Sequence, residues 1–223
     1  MTETAATLPA IDHTATTRWI QLGLGLVCMM AISSPQYIWT LFTKPLGIAL
    51  GVPPASLQVT FSLLIVLQTF FSPFQGWLVD KFGPRLLIAT GGLLSGLSWV
   101  LASYASSLTM LYVTYGLIGG LGTGIVYVGV VGQMVGWFPD RRGFAAGTVA
   151  AGYGMGAIVT TFPITNSLAA VGYQMTLLQY GAIFGLIGVL AALGLKPAPT
   201  SSALVPKHPA QIPAPCCGRR SSG

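Results

Sequence analysis

The chain has 223 residues, of which 53% are hydrophobic and only 6% are charged. An ordinary soluble domain has about 25% charged residues. Because ten basic and four acidic side chains cannot cover a soluble surface, the composition excludes a water-soluble enzyme, a nucleic-acid-binding module and a disordered protein. It indicates an integral membrane protein built of helices.

The charged residues divide the chain into uncharged stretches that fit whole numbers of membrane spans, each about 20 residues long. One span fits between Arg18 and Lys44, and one span with a Pro- and Gly-containing loop fits between Lys44 and Asp80. The longer stretches, residues 86–139 and 143–195, each fit two spans and a tight turn. Six helices are therefore predicted, at residues 19–43, 57–79, 85–105, 108–137, 144–168 and 173–195.

The basic residues predict the orientation, because cytoplasmic loops are enriched in Lys and Arg. If the N-terminus is cytoplasmic, only Lys44 lies on the outside. The cytoplasmic segments then hold Arg18, Lys81, Arg85, Arg141, Arg142, Lys196, Lys207, Arg219 and Arg220. The prediction is a multi-pass protein of the inner or plasma membrane with both termini cytoplasmic. Residues 1–18 are then a cytoplasmic tail, residues 19–195 a transmembrane domain, and residues 196–223 a Pro-rich tail or linker.

A proline interrupts the first predicted helix among polar residues. Pro35 removes one helical hydrogen bond, and Ser33 and Ser34 are placed to help satisfy the freed backbone. Gln36 and Tyr37 follow at once and bring two hydrogen-bonding side chains to the kink. A kink with adjacent polar groups favours a substrate path over a lipid-facing surface.

The second predicted helix has one polar or small face at helical spacing. The face consists of Gln58, Ser62, Ile65, Thr69, Ser72 and Gly76. Because lipid does not solvate a glutamine side chain, this face should point to the bundle interior. It forms either the wall of an aqueous cavity or a set of hydrogen bonds between helices.

Glycines four residues apart occur in the last four predicted helices. The pairs are Gly92/Gly96, Gly120/Gly124, Gly152/Gly156 and Gly181/Gly185. Such pairs allow close helix packing. They also permit bending and sliding, so the sequence leaves both interpretations open.

No Asp, Glu, Lys, Arg or His lies inside any predicted span. The spans therefore lack the titratable groups of a proton pathway, of an intramembrane hydrolase and of a metal site. His13 and His208 fall in predicted tails, and the placement of Cys28, Cys216 and Cys217 does not suggest a disulfide framework. No enzyme activity, metal or cofactor is expected.

The loop between the second and third predicted helices has a short charged motif. Gly83 permits a tight reversal, Pro84 suits the first helical turn, and Asp80 can cap that helix or pair with Arg85. The stretch 76–85 resembles the cytoplasmic G-x-L-x-D-R-x-G-R-R signature of the major facilitator superfamily. Its D-K-F-G-P-R variant resembles the oxalate/formate antiporters and their monocarboxylate-transporter relatives.

Further stretches resemble the same group in order and in spacing. They are residues 35–41, 57–61, 124–127, 137–143 and 150–154. The resemblance implies an all-α major facilitator fold in which each six-helix half is built as two inverted three-helix repeats. It also implies uptake or exchange of small carboxylates, such as oxalate or formate, by alternating access.

The resemblance also implies roles for particular residues. The residues expected to line the carboxylate cavity are Gln36, Tyr37, Gln58 and Tyr127. The gating motif, which would latch one half-transporter against the other, includes Gly76, Asp80, Gly83 and Arg85. The matching loop between the fourth and fifth helices contains Asp140, Arg141, Arg142 and Gly143.

One departure from the family is large. Its members have twelve helices in two halves with substrate between them, whereas this sequence provides six, and the family's anion-contacting cations come from the second half. Residues 196–223 could begin a central linker or be a truncated or out-of-frame end. The expected partners are the lipid bilayer, a small carboxylate and a second six-helix half. The alternative is a truncated six-helix membrane protein that does not transport.

Overall fold

The computed structural model describes residues 13–198, with side chains from residue 16 onward. In this part of the chain nearly every residue is helical and there is no strand, as the composition predicts. The first helices are α1 (His13–Tyr37), α2 (Trp39–Leu50), α3 (Pro54–Phe70), α4 (Ser72–Phe82) and α5 (Pro84–Ser103). They are followed by α6 (Leu108–Leu111), a π-helical segment (Tyr112–Ile118), α7 (Gly119–Trp137) and α8 (Arg142–Gly194).

Within residues 13–198, three helical stretches are long and apolar enough to cross a membrane: Pro84–Ser103, Leu108–Trp137 and Arg142–Gly194. Two bent pairs pass the same test together, α1 with α2 at 43° and α3 with α4 at 55°. The long helix α8 consists of two arms, residues 142–171 and 173–194, because Gly172 has φ 81° and ψ 172°. Only glycine adopts such a backbone readily.

The predicted loop after Lys44 is wrong. Pro45 and Gly47 lie inside α2, and only residues 51–53 join α2 to α3. The buried side chains of Trp39, Phe42 and Leu46 continue through this segment, and their packing holds the helix together despite the lost proline hydrogen bond. The first helix also begins at His13 rather than at residue 19.

The second predicted span is broken where the sequence suggested one straight helix. The chain leaves helical geometry at Phe71, and Pro73 lies in the first turn of α4. The side-chain Nε2 of Gln75 donates to the carbonyl of Leu67 at 3.3 Å and bridges the break. The amide of Gln75 fits in this position because Gly124 faces it. A Cβ on residue 124 would lie only 2.6 Å from the amide atoms of Gln75.

Of the two interpretations that the sequence leaves open for the glycine pairs, the structure shows close packing at Gly96 and Gly156. Gly96 of α5 faces Gly185 in the second arm of α8, where a Cβ on Gly96 would lie 2.5 Å from the Gly185 Cα. Gly156 in the first arm faces α1 in the same way, with a hypothetical Cβ at 2.6 Å from the Met30 Cα. The first arm of α8 therefore packs on α1, whereas the second arm packs on α5 and also meets α1 near its end.

The end of α8 is fastened to α1 and α7 by side-chain hydrogen bonds. The Lys196 N–H donates to Gln21 Oε1 at 2.7 Å, and its carbonyl accepts from Gln133 Nε2 and from Trp137 Nε1, the latter at 3.1 Å. Trp19, Trp77 and Trp137 lie at predicted helix ends, where tryptophans form an aromatic belt at the membrane interface, but Trp137 is buried and binds this backbone instead. Trp19 and Trp77 are exposed, as a belt position requires.

Candidate functional site

The first span bends just after Pro35, as the proline predicts. The carbonyl of Pro35 accepts a hydrogen bond from the Tyr115 hydroxyl at 2.8 Å. The Ser34 hydroxyl pairs with that of Thr160 at 3.0 Å. Side chains from two other helices therefore satisfy the polar groups at the bend, which allows a broken helix to persist in a membrane.

A cavity of about 760 Å³ lies beside this bend. Its walls include Gln36 and Tyr37 at the end of α1, Tyr127 of α7 and Tyr153 of α8. The other lining residues are Gln68, Thr69, Ser72, Pro73, Val128, Val131 and Gly132. In the described part of the chain no charged side chain belongs to this lining. The cavity can therefore donate hydrogen bonds to a solute but cannot neutralise its charge.

Tyr153 stands at the centre of the polar wall. Its hydroxyl donates to Gln36 Oε1 at 2.6 Å, and its ring meets those of Tyr37 and Tyr127 edge-on, each at 5.5 Å between centroids. The side chain of Gln68 approaches the same hydroxyl from α3. Tyr153 is only 5% exposed, whereas Tyr37 is 52% exposed and marks the open side of the cavity.

Sequence reasoning did not select Tyr153 or Gln68 as site residues. A signal for Tyr153 was present, because Gly152 and Gly156 allow that part of α8 to approach α1. A signal for Gln68 was also present, since a glutamine inside a span needs a polar partner. The polar face predicted on the second helix points only partly into the cavity: Thr69 and Ser72 line it.

Gln58 does not line this cavity, unlike the other three residues selected by resemblance. It is exposed, and it lies ten residues before Gln68, about 15 Å along a helix. The reason is that Leu57, Thr60 and Leu64 form the buried face of α3, which leaves Gln58 on its surface. A role for Gln58 in binding therefore stays a prediction.

The gating-motif residues lie around the turn between α4 and α5. Gly83 has φ 87° and lies between α4 and α5, as the C-cap of α4 and the N-cap of α5. Pro84 lies in the first turn of α5, as predicted. Asp80 does not cap α5, and within the described residues neither Asp80 nor Arg85 forms an ion pair. Both side chains are exposed. Gly76 and Asp80 line a separate cleft of about 520 Å³ beside α7.

The loop between α7 and α8 is tied to the start of α1. Arg18 Nη2 binds Asp140 Oδ1 at 2.7 Å, and Arg18 Nε donates to the Trp137 carbonyl at 2.8 Å. The hydrogen bond from the guanidinium holds the pKa of the Asp140 carboxyl below its ordinary value. Arg141 completes the loop, Arg142 and Gly143 begin α8, and all three residues are exposed.

A neutral, hydrogen-bonding cavity among membrane-spanning helices is typical of a membrane transporter. Comparison with known proteins agrees, because residues 22–219 match the Major Facilitator Superfamily. The chain belongs to that superfamily and is a membrane protein.

Three relatives show where in the superfamily the similarity lies. The "Oxalate:formate antiporter" of Oxalobacter formigenes is 37% identical over 179 residues, which cover 80% of this chain and 43% of that protein. An uncharacterized MFS-type transporter, YhjX, of Escherichia coli is 32% identical over 86% of this chain and 48% of its own length. Human "Monocarboxylate transporter 14" is 32% identical over 55% of this chain and 24% of its length. The chain thus spans less than half the length of these relatives.

Proposed function

We propose that this chain forms one six-helix half of a secondary transporter for small carboxylates that works by alternating access. The six spans are α1 with α2, α3 with α4, α5, the continuous stretch Leu108–Trp137, and the two arms of α8. The observation that carries the proposal is the neutral cavity that holds Gln36, Tyr37 and Tyr127 beside the broken first span. The relative named as an oxalate:formate antiporter supports the substrate class.

The cavity residues would orient the carboxylate rather than neutralise it. The hydroxyls of Tyr37 and Tyr127 and the side-chain amides of Gln36 and Gln68 can donate to carboxylate oxygens. Removing an anion from water requires opposite charge or several strong donors. A second half with Arg or Lys facing this cavity would provide that charge, and substrate would bind between the halves.

Transport is tested by joining this chain to a second half. The chain and the remaining half of the Oxalobacter antiporter are co-purified and placed in formate-loaded vesicles, and labelled oxalate uptake is measured. We expect exchange by the pair and none by the chain alone. Gln36→Leu should lower oxalate affinity about tenfold or more, the loss of a hydrogen bond to a charged group.

The remaining outcomes of that experiment are equally definite. Exchange by the chain alone would contradict its assignment as a half, and a co-purified pair without exchange would contradict the carboxylate function. Gln58→Leu is the comparison variant: an effect equal to that of Gln36→Leu would place Gln58 at the substrate.

The same vesicles test the gate that we assign to Asp80 and Arg85, which are exposed at the α4–α5 turn and free to contact the second half. Asp80→Asn should shift the balance of inward-open and outward-open states by about 5- to 150-fold, the scale of a typical coupling free energy. Accessibility to a cysteine reagent from each side of the membrane reports the shift. Unchanged accessibility on both sides would argue against a latch.

The six-span arrangement predicts which loops share a side of the membrane. Reporter domains fused near Lys81, Arg141 and Lys196 should be cytoplasmic, and those near Pro53 and Ser106 should be external. The bias of basic residues toward one end of the bundle is the reason. Protease protection in oriented vesicles measures the side, and an external reporter at Arg141 would rule out this topology.

A further inference from the structure

A shallow groove at one end of the bundle combines arginines with exposed aromatic rings. It has a volume of about 230 Å³ and lies where the start of α1 meets the beginning of α8. We call it the α1–α8 groove; its lining residues are Arg18, Trp19, Phe138, Asp140, Arg141 and Phe144. It is distinct from the polar cavity and shares no residue with it.

The groove has more basic than acidic side chains. The Arg18 guanidinium forms an ion pair with Asp140 at 2.7 Å and lies over the face of Phe138, 4.9 Å from the ring centroid. The negative charge of Asp140 is thereby balanced by the positive charge of Arg18. Arg141 and the adjoining Arg142 are exposed and have no ion-pair partner among the described residues. Arg141 in the lining of the groove, and Arg142 next to it in the chain, therefore remain available to an anion.

Part of the lining of the groove is apolar and exposed. Trp19 is 54% exposed and Phe144 is 50% exposed, and their rings meet edge-on with centroids 6.1 Å apart. Trp19 also contacts Phe138 edge-on at 5.7 Å. Aromatic side chains at the end of a membrane span occupy the level of the lipid headgroups, with their apolar rings toward the acyl chains.

We propose that the α1–α8 groove binds the headgroup of an anionic phospholipid. Arg141 and Arg142 donate hydrogen bonds to the phosphate, as guanidinium groups do with high strength. Trp19 and Phe144 pack against the glycerol and the first methylenes of the acyl chains. The exposed rings favour a lipid over a soluble anion, because a free phosphate gains nothing from an apolar wall.

The location fits this ligand. The groove lies at the bundle end that holds Lys81, Arg85 and Lys196, the end predicted to face the cytoplasm, where the membrane surface is negative. The proposal requires that the helices lie in a membrane, but it does not depend on transport or on a second half.

Native mass spectrometry of the purified chain with an equal mixture of phosphatidylglycerol and phosphatidylcholine tests the site. We expect the wild-type chain to retain phosphatidylglycerol in preference. In the double variant Arg141→Gln/Arg142→Gln the ratio of bound phosphatidylglycerol to bound phosphatidylcholine should fall about thirtyfold, because two cations near an anionic membrane surface contribute about that factor. Equal retention of both lipids by the wild-type chain would overturn the proposal without reference to any variant.

A matched variant separates a site from a general charge effect. Lys81→Gln/Arg85→Gln removes two exposed cations from the same end but outside the groove, and we expect it to change lipid preference less than twofold. An equal loss in both double variants would show attraction by net charge and overturn the site. Displacement of the lipid by millimolar inorganic phosphate would indicate a soluble-anion site and would overturn the lipid assignment as well.

Discussion

Gly96→Ala should lower the free energy of unfolding by about 1–3 kcal/mol, the usual cost of forcing an extra carbon into a packed interior. The new Cβ would lie 2.5 Å from the Gly185 Cα, 2.7 Å from the Gly181 carbonyl oxygen and 2.8 Å from the Gly185 nitrogen. All three are backbone atoms, so no flexible side chain can move aside. The second arm of α8 would have to shift away from α5 along its length.

Gly23→Ala is the matched control for this variant. Gly23 lies inside α1, and a Cβ there would meet no atom within 4 Å. The same substitution should be neutral or stabilise by up to about 1 kcal/mol, since alanine favours a helix over glycine. Titration of dodecyl sulfate into mixed micelles measures both variants. A Gly96→Ala chain as stable as wild type would show that the α5–α8 contact is loose.

This contact also shows what the sequence could predict. Glycine spacing is a local property of a helix, so the pair Gly92/Gly96 indicates close packing even when the partner helix is unknown. The partner itself, the Gly181/Gly185 pair of α8, could not be predicted, because it depends on how the helices are arranged in space. The kink after Pro35 and the turn at Gly83 were predictable for the same local reason.

The errors arose where tertiary packing outweighed local signals. Pro45 and Gly47 look like a loop, but a buried face continues through them as α2. Pro73 breaks the second span, and Gln75 of the same span bridges the break. The amide of Gln75 fits there because Gly124, in α7, leaves room for it.

The polar cavity shows the same limit. Gln36, Tyr37 and Tyr127 were predicted and do come together. The hydrogen bond that organises them comes from Tyr153, a residue more than 100 positions away in sequence from Gln36. Its ring and hydroxyl contacts depend on the close approach of α8 to α1. Gly152 and Gly156 indicate that this part of α8 packs closely, but their spacing does not say which helix they meet.

The isolated chain should bind oxalate or formate no more tightly than about millimolar. The amides of Gln36 and Gln68 and the phenols of Tyr37 and Tyr127 are four neutral donor groups in the lining of the cavity. Each net hydrogen bond contributes about 1 kcal/mol. A total of about 4 kcal/mol corresponds to a dissociation constant near 1 mM, before the entropic cost of association is subtracted.

Addition of a cationic second half should raise the affinity for oxalate or formate by orders of magnitude. Hydrogen bonds to charged groups contribute about 1.5–3 kcal/mol, and each 1.4 kcal/mol lowers the dissociation constant tenfold. Isothermal calorimetry with oxalate, on the chain alone and on the pair, measures the difference. In the pair Tyr37→Phe should weaken binding, whereas Tyr104→Phe, which removes a hydroxyl from an exposed ring outside the cavity, should not. Micromolar oxalate binding by the isolated chain would show that neutral donors suffice and that the requirement for charge from a second half is wrong.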